Sequence, residues 1–259
     1  MAARPALFTR GLSGLSQSTT DPNSPSVSSP ADQRDDAKRN FLKAMRPLPT
    51  QHYWNVYFDN PHFRQAKDQQ KSGNDDEYKV QLEQLGAQIE SVQDFWKYNN
   101  NTPVDQIKMR ESIYLFKQGF KPIWEDRRNI NGGAWTFRVP KNIGPDVWTR
   151  VQLLAIGEKL QSVLDDSDQI CGVGLSVRFN SHLISIWHRD GSKQKSVDAI
   201  LECVLEELPA ELRPKADNYF YKRHQDHAGF KAPPELQVVI DSQKAAADKA
   251  KAAAGGAPA

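Results

Sequence analysis

The stretch "ICGVGLSVRFNSHLISIWHR", Ile170 to Arg189, carries the architecture of this chain. Its two apolar runs, "ICGVGLSVRF" and "LISIWHR", flank a short polar segment at Asn180–Ser181–His182, the pattern of two strands joined by a tight turn. Working outward, "AWTFRV" (Ala134–Val139) and "YWNVYF" (Tyr53–Phe58) read as further short strands. Helical patterns lie between them. "SVQDFWKYNN" opens with a Ser-x-x-Asp capping box at Ser91 and Asp94. "VWTRVQLLAIGEKLQSVLDD" repeats apolar residues at Val147, Val151, Leu154 and Leu160, and "SVDAILECVLEEL" does so at Val197, Ile200, Leu201, Val204 and Leu205. Strands interleaved with three amphipathic helices predict an α+β layer fold, a sheet with helices on one face. No internal repeat interrupts this pattern.

The 259 residues are 38% hydrophobic, and the apolar and aromatic content concentrates between about Leu48 and Phe230. One domain with two tails follows: residues 1–44 as a disordered N-terminal tail, 45–232 as the folded domain, and 233–259 as a low-complexity C-terminal tail. The first twenty residues, with arginines, Ser/Thr and no acid, also have the composition of a mitochondrial transit peptide; the continuation "DPNSPSVSSPADQRDD" favours a tail. The net charge of +2, with both signs mixed along the chain, excludes a whole-molecule field for duplex DNA or an anionic membrane. Cys171 and Cys203, in apolar runs, suit buried reduced thiols and a cytoplasmic setting. No apolar run approaches the roughly 18 residues of a membrane span.

The chain has six tryptophans, whose placement divides them. Trp54 and Trp135 in strands and Trp148 on a helix face belong to the core. Trp124 stands instead in the charged loop "KPIWEDRRN", Trp187 ends a strand before "HRDGS", and Trp96 follows a helix start beside Lys97. An exposed indole in a loop is a platform for a flat ligand, and the adjacent Glu125 selects which one. Guanine presents N1–H and N2–H₂ as two neighbouring donors that one carboxylate accepts as a pair. A positively charged ring would add a cation–π gain of about 2 kcal/mol when desolvated, which points to N7-methylguanine.

"FKQGFKPIWEDRRNINGGAW", with "SVQDFW", "AIGE", "ICGVGLSVRF" and "ISIW", closely resembles the messenger-RNA cap-binding translation initiation factor 4E family, over roughly Leu48 to Phe230. The character is that of its second class, the 4E-homologous proteins that often repress or modulate translation, and of fungal members. The resemblance implies a curved antiparallel sheet with three α-helices on its convex face. It implies that Trp124 and Tyr78 sandwich the methylated guanine, with Phe63 the alternative to Tyr78, that Glu125 accepts the N1 and N2 hydrogens, and that Trp187 faces the N7-methyl group. Arg178 sits where the main phosphate arginine belongs, while Ala134, Asn180 and Leu183 replace other expected cations, so weaker cap binding is expected. Val92, Trp96 and Leu153 match the dorsal patch on which a partner's Tyr-x-x-x-x-Leu-hydrophobic helix docks. Capped mRNA and such a protein are the implied partners of a monomer.

Other signals point elsewhere and fail. His188–Arg189–Asp190 spells a kinase tripeptide, but no asparagine follows at the required distance and no phosphate loop precedes it. His224 and His227 have helical metal-ligand spacing, but without a clear helix or third ligand they read as a solvated loop. With no nucleophile and base arrangement, metal site or cofactor motif, the chain reads as a binding module rather than an enzyme.

Overall fold

In the computed structural model, the described residues are 29–44, 46–60, 82–237 and 242. The chain forms two units, Met1–Arg46 and Pro47–Ala259. In the first, Pro30–Ala44 is a helix, α1, where the sequence predicts part of a flexible tail. Proline at its first position and a run of good helix formers behind it account for the difference.

The second unit is built on one curved, seven-stranded antiparallel sheet. Its strands are β1 (Pro49–Asp59), β2 (Leu82–Ser91), β3 (Ser112–Lys117), β4 (Gly133–Pro140), β5 (Ile170–Val177), β6 (Ser181–His188) and β7 (Tyr219–Arg223). In space they run β2-β1-β3-β5-β6-β4-β7, so β2 and β7 are the edges. The helices are α2 (Val92–Asn101), α3 (Gly144–Ile156), the short α4 (Lys159–Ser162) and α5 (Gln194–Glu207). With α1 and the helical residues 234–237 that makes six α-helices among the described residues rather than three.

The strand alternation separates two apolar layers. Trp54, Val56, Trp135, Phe137, Val173, Leu175, Ile184 and Ile186 point to the helices and join Val147, Trp148, Val151, Ile200 and Val204 in the main core. All three tryptophans predicted for the core are there. Helix α2 starts as its capping box dictates: Ser91 Oγ accepts from the Asp94 amide at 3.1 Å.

Two boundaries differ from the sequence reading. The helix predicted from Val147 onward ends at Gly157, because Glu158 takes the left-handed conformation with φ 58° before α4 begins. That conformation costs a non-glycine residue about 1–2 kcal/mol. It persists because it aims the Glu158 carboxylate at the buried Lys117 ammonium and at His52, each 3.0 Å away. The β5–β6 turn falls at Arg178–Asn180, earlier than predicted, and the polar-looking His182 is buried in β6 against Gly144.

Candidate functional site

The sheet face opposite the helices carries a second cluster: Tyr57, Phe116, Phe120, Ala134, Cys171 and Trp187 are buried, and Leu82, Tyr114 and Trp124 pack against them. Trp187 is only 5% exposed. It meets Phe116 edge to face at 5.3 Å and Tyr114 at 6.4 Å, and its Nε1–H donates to Ser185 Oγ at 3.1 Å. Two glycines in β5 make room for this floor. A Cβ on Gly172 would lie 2.3 Å from the Phe116 ring, and one on Gly174 would lie 2.5 Å from Tyr114.

Trp124 is half-buried in the loop between β3 and β4. Asn129, fully buried, holds that loop: its side-chain amide donates to the Lys121 carbonyl at 2.6 Å and to the Ile123 carbonyl at 2.8 Å. Asp126 Oδ1 accepts from the Arg128 amide, and the Arg128 guanidinium donates to the Gly119 carbonyl. These bonds tie both ends of the turn that presents Trp124 and Glu125. The half-buried Glu125 carboxylate has no hydrogen bond or ion pair with another described residue, so its acceptor capacity is unspent.

The histidines expected in a solvated loop form the fourth wall. His224 is fully buried with its ring centroid 4.4 Å from Trp187. His227 stacks on Trp124 at 4.0 Å and 11° between planes. The backbone explains the correction: β7 pairs with β4 and delivers this segment over the cluster, where the His224 amide donates to the Gly132 carbonyl at 3.0 Å. Burial, helped by the charges of His227 and His188, pushes the His224 imidazole down to about 3. Burial and Lys222 lower His227 as well. Both rings are therefore uncharged at neutral pH. Among the described residues, no group of three or more His, Cys, Asp or Glu is placed to hold a metal ion.

A relay ties β7 to the end of β6. His188, next to Trp187 in sequence, is hydrogen-bonded to Asp168 Oδ2 at 2.8 Å on one side and to the Tyr221 hydroxyl at 2.7 Å on the other. Burial works to raise the Asp168 carboxyl, but the His188 hydrogen bond and charge, with the Gln169 and Asp190 amides, hold it below its ordinary value. The sequence offered no sign of this relay, because its members are twenty to fifty residues apart.

Arg178 is exposed at the end of β5, its amide bonded to the Ser181 carbonyl and its guanidinium to the Val177 carbonyl at 3.1 Å. Val173, Leu175 and Val177 of this strand point to the helical core, so the alternation turns the following Arg178 toward the face of the cluster. Tyr78 and Phe63 lie outside the described residues. On the helical side, Val92 and Trp96 sit one turn apart on α2, with Phe95 buried beneath. Trp96 is 37% exposed. Gln152 of α3 bonds Asn99 of α2 at 3.1 Å, and the next residue of α3, Leu153, is half-buried against the main core.

The family model described as eukaryotic initiation factor 4E matches residues 49–238, which is most of the chain. The chain belongs to the eukaryotic initiation factor 4E family. Members of this 4E family bind the mRNA cap and are not enzymes. Among its relatives, initiation factor 4E1 of Drosophila melanogaster is 32% identical over 185 residues, 70% of this chain and 64% of that protein. Initiation factor NCBP of Arabidopsis thaliana is 33% identical over 139 residues, 53% of this chain and 60% of that protein. The chain thus spans less than two thirds of the length of these curated relatives. Among solved structures, C. elegans eIF4E-3 in complex with the 4E-binding protein Mextli and a cap analog superimposes with a TM-score of 0.57 at 25% identity, covering 70% of this chain and 95% of that one. Ascaris suum eIF4E-3 with an m2,2,7G cap gives 0.55 at 25% identity, over 72% of this chain and 96% of that one. Among the described residues, no helix of this 4E-family chain is long and apolar enough to cross a membrane.

Proposed function

We propose that this chain binds the 7-methylguanosine cap of mRNA and uses its α2–α3 face to engage a partner's Tyr-x-x-x-x-Leu-hydrophobic helix, modulating or repressing translation as a cytoplasmic class II 4E-homologous monomer. The observation that carries the reading is the Trp124–His227 stack at 4.0 Å and 11°, in which this indole packs face to face against a flat heteroaromatic side chain. The base stacks on the face that His227 leaves open, with Tyr78 as the second ring, Glu125 pairing its N1 and N2 hydrogens, and Trp187 toward the N7-methyl group. Arg178 takes the triphosphate. The depressed basicity of His224 and His227 serves the same end, because a cationic base would be repelled by a protonated imidazole beside it. Relatives solved in complex with a cap analog and with an m2,2,7G cap support cap binding as the activity.

Selectivity follows from charge. Unmethylated GTP forfeits the cation–π gain, and each 1.4 kcal/mol lost is about tenfold in affinity. A titration of tryptophan fluorescence with 7-methyl-GTP and with GTP tests the reading, on the wild type, Trp124→Ala and Glu125→Ala. Saturable quenching by the methylated nucleotide, much weaker with GTP and lost in both variants, is expected. Folded wild type that 7-methyl-GTP does not quench would refute it.

One observation favours a second reading, a protein-interaction scaffold with a decayed cap pocket. The positions Ala134, Asn180 and Leu183 carry no charge for the triphosphate. That protein would bind its partner helix through Trp96 and ignore the cap analogue. A general initiation factor would instead bind cap and deliver the mRNA to a scaffold subunit, and the identity of the captured partner separates it from a modulator.

A further inference from the structure

We propose that the edge of the sheet formed by β4 and β7 is a single-stranded RNA subsite, in which Phe220 stacks a base of the chain following the cap and Lys222 and Arg138 hold its phosphates. This rests on the cap-binding reading and extends it.

The sidedness of β7 is settled by its contacts. Tyr219 and Tyr221 point into the helical layer, meeting the Trp135 ring at 5.8 Å and 5.6 Å, and Tyr219 also meets Phe137 at 6.0 Å. Phe220 and Lys222 therefore point to the opposite face. Phe220 is left 49% exposed there, an aromatic ring on an open sheet face with no apolar neighbour layer to bury it.

The register places it. Lys222 is opposite Ala134 and Phe220 is opposite Thr136, while Arg138, exposed, follows two residues on along β4. Ala134 is part of the buried cluster that contains Trp187 and supports Trp124. The tract thus begins at the floor of the cap site and runs outward, Lys222 first and Phe220 about 7 Å further along the strand. Lys222 is also close enough to His227 to lower its basicity, which ties it to the Trp124 side of the site.

The charge on this face decides the occupant. Among the described residues, the positions of β4, β6 and β7 that share the face are Ala134, Thr136, Arg138, Pro140, Ser181, Leu183, Ser185, Trp187, Phe220 and Lys222. Two are cations and none is a carboxylate. The nearest acids in sequence, Asp217 and Asp226, lie in the short helical turns flanking β7. A lone exposed ring between cations is too small an apolar patch for a protein helix, whereas exposed aromatics interleaved with cations bind unstacked bases and phosphates.

Binding of three ligands tests the tract: 7-methyl-GTP, a capped pentanucleotide, and the same pentanucleotide uncapped, on the wild type, Phe220→Ala and Lys222→Gln. The capped oligonucleotide should bind the wild type more tightly than 7-methyl-GTP. Phe220→Ala should keep the 7-methyl-GTP affinity while weakening the capped oligonucleotide about fivefold or more. Lys222→Gln should lower the salt slope for the capped oligonucleotide by about 0.7. If 7-methyl-GTP and the capped oligonucleotide bind the wild type equally, or if Phe220→Ala weakens both alike, the tract is refuted and the cap site stands. If 7-methyl-GTP does not bind the wild type at all, the cap reading falls and this one with it.

Discussion

Acidification should destabilise the folded protein through His224, by an amount the structure sets. The imidazole is fully buried against Trp187, and neither ring nitrogen has a hydrogen-bond partner among the described residues. Its proton affinity is therefore pushed down to about 3 in the folded state. In the unfolded chain a histidine titrates near 6.5. The unfolded state then binds the proton first, so the stability present above about pH 6.5 is lost progressively as pH falls toward 3. At about pH 5 the unfolded histidine is almost fully protonated and the folded one is not, a difference of about 1.5 logarithmic units or about 2 kcal/mol. The assay is urea unfolding followed by tryptophan fluorescence at about pH 7.5 and about pH 5, on the wild type and His224→Phe. Phenylalanine keeps a flat ring against Trp187 and cannot take up a proton. The wild type should lose about 2 kcal/mol more than the variant between the two pH values. His182, whose basicity is also lowered by burial, is unaltered in the variant and cancels in the comparison. Equal losses in the two proteins would refute the reasoning.

Three further outcomes are expected. Gly172→Ala drives a methyl group to 2.3 Å from the Phe116 ring and 2.6 Å from the Leu115 carbonyl, and overpacking of this kind costs about 1–3 kcal/mol, read as a lowered melting temperature. Glu158→Ala removes the counter-charge of the Lys117 ammonium, which is 4% exposed and keeps Gln161 Oε1 at 3.3 Å and the Trp54 ring at 5.6 Å, so the variant should lose about 3 kcal/mol in denaturant titration. Glu158→Gln, which retains an acceptor, should lose less. Trp96→Ala should leave stability within about 1 kcal/mol but weaken a partner peptide at least thirtyfold by calorimetry, as loss of an anchor worth about 2 kcal/mol requires.

How far the sequence could be read followed from how each element is buried. The β5–β6 hairpin, with one face in each apolar layer, has long apolar runs that announce themselves, as do the helices that cover the sheet. The edge strand β2 does not, because half of its residues are exposed and its pattern is largely polar. β3 escaped for the opposite reason: five of its six residues are buried, and "SIYLFK" shows no alternation. β7 is short and alternates half-buried tyrosines with an exposed phenylalanine, which hides it among the polar residues around it. Trp124 and Glu125 were legible as a pair because a single loop carries both. Asn129, which holds that loop, left no local sign, since its partners are backbone carbonyls that any sequence supplies.

By itself the sequence determined the layer fold, the core placement of Trp54, Trp135 and Trp148, and the cap on α2, but not the burial of Trp187, which it set apart from the core. These depend on periodicity and on neighbours within a few positions, which the order of residues records directly. Only the tertiary structure decided that His224 and His227 close over Trp187 and Trp124, that Asp168, His188 and Tyr221 join into one relay, and that Lys222 stands opposite Ala134. Each of these is a pairing across strands far apart in the chain. Strand register chooses such partners, and register is a property of the assembled sheet.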